Sequence, residues 1–233
     1  MPSEKSPPET QLLEEEQKFL QSAVHDLRAA HRGVAMAVQL MAETPDESER
    51  ADLLKQMTQG LSKTDEILKA IARYATSLTL SKEPVTFRAA AAVRLALANL
   101  DSEIRATGAT VVLGDLPEIQ GDKQRLGELF ENLLSNSLKF RGNDPPLIEI
   151  SARQTPEGWL FSVSDNGVGI PAKYRDRLFI PFRRLHGTDI PGVGLGLAIS
   201  SKIVAGYGGR IWIDGPETGG VTINIFLPIP NGN

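Results

Sequence analysis

Asp165-Asn166-Gly167-Val168-Gly169-Ile170 follows Trp159-Leu160-Phe161-Ser162-Val163, a run that alternates like a strand with one buried face. A strand that ends in an aspartate and two glycines can put one fixed carboxylate at the floor of a pocket. The glycines let the backbone turn and let a flat ligand come close. Further on, Gly192-Val193-Gly194-Leu195-Gly196-Leu197-Ala198-Ile199 reads as a glycine-rich entry to a helix. Such an entry offers N–H groups and a positive dipole end to phosphate. One half suits a base and the other suits phosphates, so the pair reads as a nucleotide site. The Gly192 to Gly196 spacing has neither the Rossmann glycine pattern nor the Walker lysine. The reading therefore rests on the two halves together with what precedes them.

What precedes them is a helix expected from about Lys123 to Phe140, with Asp122 as its N-cap. Leu126, Leu129, Phe130, Leu133, Leu134 and Leu138 give it a buried face. Glu128, Asn132, Asn136 and Lys139 recur at i, i+4, i+8 and i+11, on one stripe. Asparagine is a poor helix former, so two in register call for an explanation. A solvated face is one. A row of oxygen ligands for Mg²⁺ with a lysine for phosphate is the other.

The first third has a different rhythm. Leu13, Leu20, Leu27, Val34 and Met41 fall at every seventh position, and Ala23, Ala30 and Ala37 make a second, small-residue stripe. Thr44-Pro45-Asp46-Glu47-Ser48 breaks the helix. The second run carries Leu54, Leu61, Leu68 and Ala75 on one stripe and Met57, Thr64, Ile71 and Leu78 on another. Each helix is expected to be roughly 45–50 Å long. A hairpin with such long seams cannot bury both faces alone, and pairing with a second copy gives a dimeric four-helix bundle. With Leu20 at heptad position a, His25 falls at f, on the outer face, and is followed by Asp26. A neighbouring carboxylate can orient an imidazole and hold one tautomer while the other nitrogen attacks. His31 takes position e, beside the seam, and His186 falls in a loop.

Composition narrows the classes. The chain has 233 residues, a formal charge of −4 and no cysteine. That fits one large or two small domains and argues against nucleic acid, disulfides and thiolate metal sites. No apolar run reaches the ~18 residues of a membrane helix. The polar, proline-rich start does not resemble a signal peptide. The chain is expected to be soluble and cytoplasmic.

The remaining elements read as an α/β domain after Glu83-Pro84. Val85 to Phe87 is expected as a strand, Arg88 to Arg105 as one helix and Ala109 to Leu113 as a strand. Leu147 to Gln154 and Gly158 to Val163 form a hairpin, Lys173 to Phe179 a short helix, and Ile180 to Pro191 a mobile lid. Val193 to Tyr207 is expected as a helix, with a closing hairpin of Gly209 to Asp214 and Gly220 to Pro228. The expected fold class is α then α+β: a two-helix hairpin forming a four-helix bundle, then an α/β sandwich with a mixed sheet and helices on one face. The expected domains are a flexible N-terminus at 1–8, a helical domain at 9–82 and an α/β domain at 83–233.

These residues resemble the catalytic core of a bacterial sensor histidine kinase over nearly the whole chain. Asn132-Leu133-Leu134-Ser135-Asn136-Ser137-Leu138-Lys139-Phe140 is similar to that family's N box. Asp165-Asn166-Gly167-Val168-Gly169-Ile170-Pro171 is similar to its G1 box, Phe179-Ile180-Pro181-Phe182 to its F box, and Gly192-Val193-Gly194-Leu195-Gly196-Leu197 to its G2 box. His25-Asp26-Leu27-Arg28 resembles the H box. The stretch Phe182 to Gly187 is most similar to kinase tails of phytochrome or PAS sensors. The resemblance implies that 9–82 is a dimerisation and histidine phosphotransfer domain and that 83–233 is an ATP-binding catalytic domain with the fold of histidine kinases and gyrase.

The resemblance implies roles. Asp165 accepts a hydrogen bond from the adenine amino group, with Gly167 and Gly169 forming the turn. Asn132 holds Mg²⁺ on the phosphates of ATP, supported by Asn136. Lys139 contacts phosphate, Phe140 and Ile170 flank the base, and Gly192, Gly194, Leu195 and Gly196 form the phosphate loop. His25 attacks the γ-phosphate, with Asp26 or Glu128 assisting proton removal, and the phosphoryl group passes to an aspartate of a response-regulator receiver domain. The implied partners are that receiver domain, a second copy of the chain and an upstream sensor domain or protein.

The chain departs from the family in the H box. Ala30 stands where the family usually has proline and His31 where it has leucine, which implies a straighter first helix. Ala29 stands where it usually has threonine or asparagine, which implies weak phosphatase activity toward the regulator. The competing class is a dimeric histidine phosphotransfer protein that keeps His25 but turns over little or no ATP. A related ATPase or serine kinase of the same fold is a third class, against which the long two-helix segment carrying His25 argues.

Overall fold

The structure, a computed structural model, describes residues 8–44, 46–77, 84–185, 192–216 and 219–229. The chain divides into two compact units, Met1–Arg73 and Tyr74–Asn233. Residues 78–83, where the expected domain boundary falls, lie outside the described residues, as does Leu78 of the expected stripe.

The first unit is a helical hairpin. Helix α1 runs unbroken over Pro8–Glu43 and α2 over Glu47–Ser77. Asp46 starts α2, its Oδ1 accepting from the backbone N–H of Ser48 (2.8 Å) and Glu49 (3.0 Å), two donors that a helix start leaves open. Phe19, Ala23 and Ala37 of α1 and Leu53 and Ile67 of α2 are buried. Gly60 completes the α2 row, because a Cβ there would lie 2.6 Å from Val34 Cγ2. The inner seam of α2 is therefore Leu53, Gly60 and Ile67, one position before the expected stripe. Leu54, Leu61 and Leu68 remain 50%, 58% and 52% exposed, and Leu20 is 58% exposed. The helices approach closely at Gly60 and Val34, and Leu20, Leu54, Leu61 and Leu68 stay exposed.

In the second unit, β1 (Val85–Arg88) pairs antiparallel with β3 (Glu118–Gly121) as a two-stranded sheet. The main sheet has the order β2-β4-β5-β7-β6, made of Thr110–Leu113, Leu147–Thr155, Gly158–Asp165, Val221–Pro228 and Arg210–Asp214. Only the β2–β4 pair is parallel, so the sheet is mixed. Directly opposed residues share a face, which aligns Ile150, Val163, Ile223 and Ile213 in one row. That face is the core. Phe161 lies on it and meets Phe130 of α5 (Lys123–Lys139) edge-on, at 6.2 Å between ring centroids. Leu126, Leu129, Leu133, Leu134 and Leu138 of α5 are buried as their spacing requires. The opposite face carries polar pairs: Ser164 with Thr222 (2.9 Å), and Ser162 with Asn224 (2.7 Å), whose amide donates to Asp214 (2.8 Å).

Two expected helices are corrected. The run Arg88 to Arg105 is two helices, α3 (Ala89–Asn99) and α4 (Asp101–Thr107). Leu100 leaves helical geometry at φ −103° and ψ 11°, and buries its side chain. Asn99 turns to donate to Glu131 Oε2 at 2.7 Å, tying the break to α5. The expected helix Val193 to Tyr207 begins later, as α6 (Gly196–Gly206). Gly194 has φ +77°, left-handed backbone that cannot be part of an α-helix. The short helix expected at Lys173 to Phe179 is a 3-10 helix over Ala172–Phe179.

A tyrosine locks two of these helices together. Tyr207, at the end of α6, accepts through its hydroxyl from the Asp122 N–H and donates to the Asp122 carbonyl, both at 2.9 Å. Asp122 is the N-cap of α5, accepting from Gln124 N (2.9 Å) and Arg125 N (3.2 Å). Burial pushes the Tyr207 phenol up to about 12, from an ordinary value of 10. A phenol raised on folding contributes stability that is complete below its unfolded pKa and is lost as pH climbs through the folded one. Tyr207→Phe is expected to lower unfolding stability at pH 7 by about 1–2 kcal/mol. The advantage of the unmodified chain shrinks between about pH 10 and 12. Urea titrations of both chains across that range check it, and a constant difference to pH 12 contradicts it.

Candidate functional site

Asp165 closes β5, the central strand of the main sheet, opposite Ile148 and Val221. Its carboxylate is held from two sides. The Gly167 N–H donates to Oδ1 at 2.9 Å and the Ser137 hydroxyl donates to Oδ2 at 2.7 Å. Gly167 is required where it stands, because a Cβ would lie 2.6 Å from the Phe140 carbonyl. That carbonyl accepts from Val168 N at 3.1 Å, so the C-terminal end of α5 is joined to the glycine turn. Gly169 takes φ +82°, and the Gly167 carbonyl accepts from Gly220 N at 2.7 Å. Arg175 finishes the turn: its Nε donates to the Ile170 carbonyl (3.0 Å) and its Nη2 to the Gly215 carbonyl (2.6 Å). Asn166 faces away from the carboxylate, donating to Pro145 O (3.1 Å) and accepting from Leu147 N (2.8 Å).

The polar stripe of α5 runs from Glu128 to Lys139. Glu128 and Asn136 are half-buried, Asn132 is buried and Lys139 is exposed. Asn132 faces the start of α6: a Cβ built on Gly196 would lie 3.8 Å from its Oδ1. An amide oxygen and a helix N-terminus thus converge, the pairing that an anionic group carrying a cation needs. Glu128 Oε2 accepts from Arg125 Nη1 at 2.9 Å. That ion pair competes with any role for Glu128 as a proton acceptor.

The glycine-rich segment is irregular backbone. Gly192 has φ +141° and Gly194 φ +77°, and the Gly194 carbonyl accepts from Phe182 N at 2.9 Å. Phe182 itself has φ +62°, a strained value for a side chain of that size. A Cβ on Gly194 would lie 3.1 Å from the Arg183 carbonyl, so this glycine admits a close backbone crossing. Leu195 is buried and Gly196 opens α6. Of the expected lid, Ile180 to Leu185 is described; residues 186–191, including His186, lie outside the described residues.

His25 and Asp26 belong to the first unit. The His25 side chain is 76% exposed, and its Nδ1 lies 3.1 Å from Asp26 Oδ1. A carboxylate accepts only, so Nδ1 is the donor in this contact, and in the neutral ring Nε2 is then the nitrogen that carries the lone pair. His31 is exposed as well.

Phe140, Asp165, Gly167, Gly169 and Ile170 come together at one end of α5, and Asn132 meets Gly196 along it. Reading by motif did not single out Ser137 or Arg175. Ser137 sits off the polar stripe, on the buried side of α5, and only the arrival of β5 brings a carboxylate to its hydroxyl, at 2.7 Å. Arg175 is one of several charges in the short helix expected at Lys173 to Phe179 and finds its carbonyls only in three dimensions.

Comparison with known proteins agrees with this arrangement. Residues 121–231 match the family described as histidine kinase-, DNA gyrase B-, and HSP90-like ATPase. The chain is 34% identical over 219 residues to phytochrome-like protein Cph1 of Synechocystis sp., covering 92% of this chain and 29% of the relative. It is 30% identical over 221 residues to the methanogenesis regulatory histidine kinase FilI of Methanothrix harundinacea, covering 93% of this chain and 25% of that one. Among solved structures, histidine kinase ThkA in complex with response regulator protein TrrA shares the fold, with a TM-score of 0.72 at 21% identity. That match covers 95% of this chain and 64% of ThkA. The chain spans under a third of the length of the phytochrome relatives it matches. No helix among the described residues is long and apolar enough to cross a membrane. With a hairpin bearing an exposed His-Asp pair ahead of an ATPase domain of this type, the chain belongs to the sensor histidine kinases and corresponds to their catalytic core.

Proposed function

We propose that this chain is the catalytic core of a two-component histidine kinase, which moves the γ-phosphoryl group of ATP to His25 and then to an aspartate of a response-regulator receiver domain. The observation that carries it is the His25–Asp26 pair, whose 3.1 Å contact leaves Nε2 as an exposed nucleophile. Nε2 attacks the γ-phosphorus, the bond to the β–γ bridging oxygen breaks, and ADP leaves. The Nδ1 proton passes to Asp26, which leaves a neutral imidazole ring bearing the phosphoryl group. Asp26 fits this role better than Glu128, which is engaged by Arg125.

In the second unit, Asp165 takes the adenine amino group, with Phe140 and Ile170 beside the base. Gly192, Gly194, Leu195 and Gly196 offer backbone to the phosphates, and Asn136 and Lys139 extend the polar stripe towards them. Mg²⁺ fits at Asn132, whose amide oxygen faces the start of α6, and supplies neutralisation of phosphate charge when bound. Everything else here is positioning. The exposed leucines Leu20, Leu54, Leu61 and Leu68 support a homodimer with a four-helix bundle. Sedimentation returning the mass of a single chain removes that part of the proposal.

Incubation with γ-labelled ATP and Mg²⁺ is the test. Label that is lost in acid and kept in base supports the proposal. ATP bound without label moves the chain to the phosphotransfer class, a dimeric carrier with little turnover. Ala29, exposed one turn beyond His25, has no side chain to hold a water for hydrolysis. Regulator dephosphorylation is therefore expected to be slow, and Ala29→Thr is expected to raise it about tenfold or more, in line with the weight of one positioned polar group. Brisk dephosphorylation by the unmodified chain sinks this expectation.

A further inference from the structure

We propose that Ser137 is a positioning residue for nucleobase selection, its hydroxyl fixing the plane of the Asp165 carboxylate so that it takes the 6-amino group of adenine. This rests on the nucleotide reading above and adds a residue to it. Ser137 is 5% exposed. Its Oγ lies 2.7 Å from Asp165 Oδ2 and 3.4 Å from the Leu133 carbonyl. A hydroxyl has one proton, and the shorter, charge-assisted contact takes it. The Gly167 N–H holds the other oxygen at 2.9 Å.

These two donors come from different elements, one from the helix and one from the turn, and each holds a different oxygen. The terminal torsion of an aspartate is broad. A carboxylate held at one oxygen swings about that torsion, whereas one held at both does not. Each oxygen keeps further acceptor capacity, so the ligand meets a fixed, purely accepting edge. Adenine presents an amino donor at its 6-position and guanine a carbonyl acceptor, which that edge repels. Without the hydroxyl the carboxylate must be reordered each time a base binds.

The test is a thermodynamic cycle on the full chain with Mg²⁺, pairing ATP with purine riboside triphosphate, which lacks the 6-amino group. Ser137→Ala is expected to weaken ATP binding about tenfold, within the range for a hydrogen bond to a charged group. It leaves the desamino nucleotide within about twofold, because that ligand does not use Asp165 as an acceptor. Equal weakening of both nucleotides means a general structural role and overturns the proposal, and so does an unchanged affinity for ATP. Ser137→Cys keeps the volume with a weaker donor and shows the same ATP-selective loss to a smaller degree, which preserves the test if the alanine variant does not fold. If the unmodified chain binds neither nucleotide, the nucleotide reading itself falls and this inference with it; if it binds ATP and the variants match it, only the inference falls.

Discussion

Phosphorylation of the His25→Gln variant is expected to fall to background, a loss of at least about a thousandfold, or on the order of 4 kcal/mol in the transfer barrier. Glutamine keeps the size and polarity of the side chain but its amide nitrogen has no available lone pair, so it cannot attack phosphorus. The imidazole is 76% exposed, so the helix survives the change. ATP affinity is expected to be unchanged, because His25 belongs to the helical unit and the nucleotide residues to the other. Counting label after acid and base treatment, beside an ATP titration of the same preparation, separates the two effects. Label that persists at the unmodified level identifies another acceptor and removes the proposed mechanism.

Asp165→Asn acts at the other step. ATP binding is expected to weaken by about 100-fold, near 2.8 kcal/mol. The side chain now accepts at Oδ1 and donates from Nδ2, which stands where the carboxylate had Oδ2. The Gly167 N–H is a fixed donor, so the asparagine oxygen stays with it at the 2.9 Å position. Its amino group then replaces the oxygen that Ser137 holds at 2.7 Å, and the hydroxyl must turn its proton away. The edge offered to adenine carries a donor against a donor. The fold loses little, since the Gly167 N–H keeps its acceptor, so unfolding is expected to shift by under about 1 kcal/mol. Calorimetric titration with ATP and Mg²⁺ checks this. Affinity within threefold of the unmodified chain would show that Asp165 does not read the base.

Much of this architecture is legible in local sequence because the signals are local. Asp122 caps α5, as a short acidic side chain before a leucine-rich period is expected to do. The hairpin of β4 and β5 turns at Pro156-Glu157, and Asp165 falls at the last residue of its strand. These follow from period and turn chemistry alone. The α3–α4 break was not legible, since Asn99-Leu100-Asp101 has no proline or glycine. It depends on Asn99 finding Glu131 on another helix. The late start of α6 depends on Gly194 letting the chain cross Phe182 to Arg184, which is a contact and not a propensity.

The helical unit shows the division most clearly. Heptad spacing alone determined that α1 and α2 are long amphipathic helices and that His25 faces outward. It could not determine which of two adjacent stripes on α2 lies inside the hairpin. Leu53, Gly60 and Ile67 are as periodic as Leu54, Leu61 and Leu68, and a period says nothing about separation between axes. Steric fit at Gly60, where nothing larger clears Val34, selected the inner row and left the leucines outward. The same holds at the nucleotide site. The order of glycines and carboxylate along the chain points to the proposed nucleotide, while the two-sided hold on Asp165 comes only from the tertiary structure, which sets a buried serine of one helix 2.7 Å from the end of the central strand.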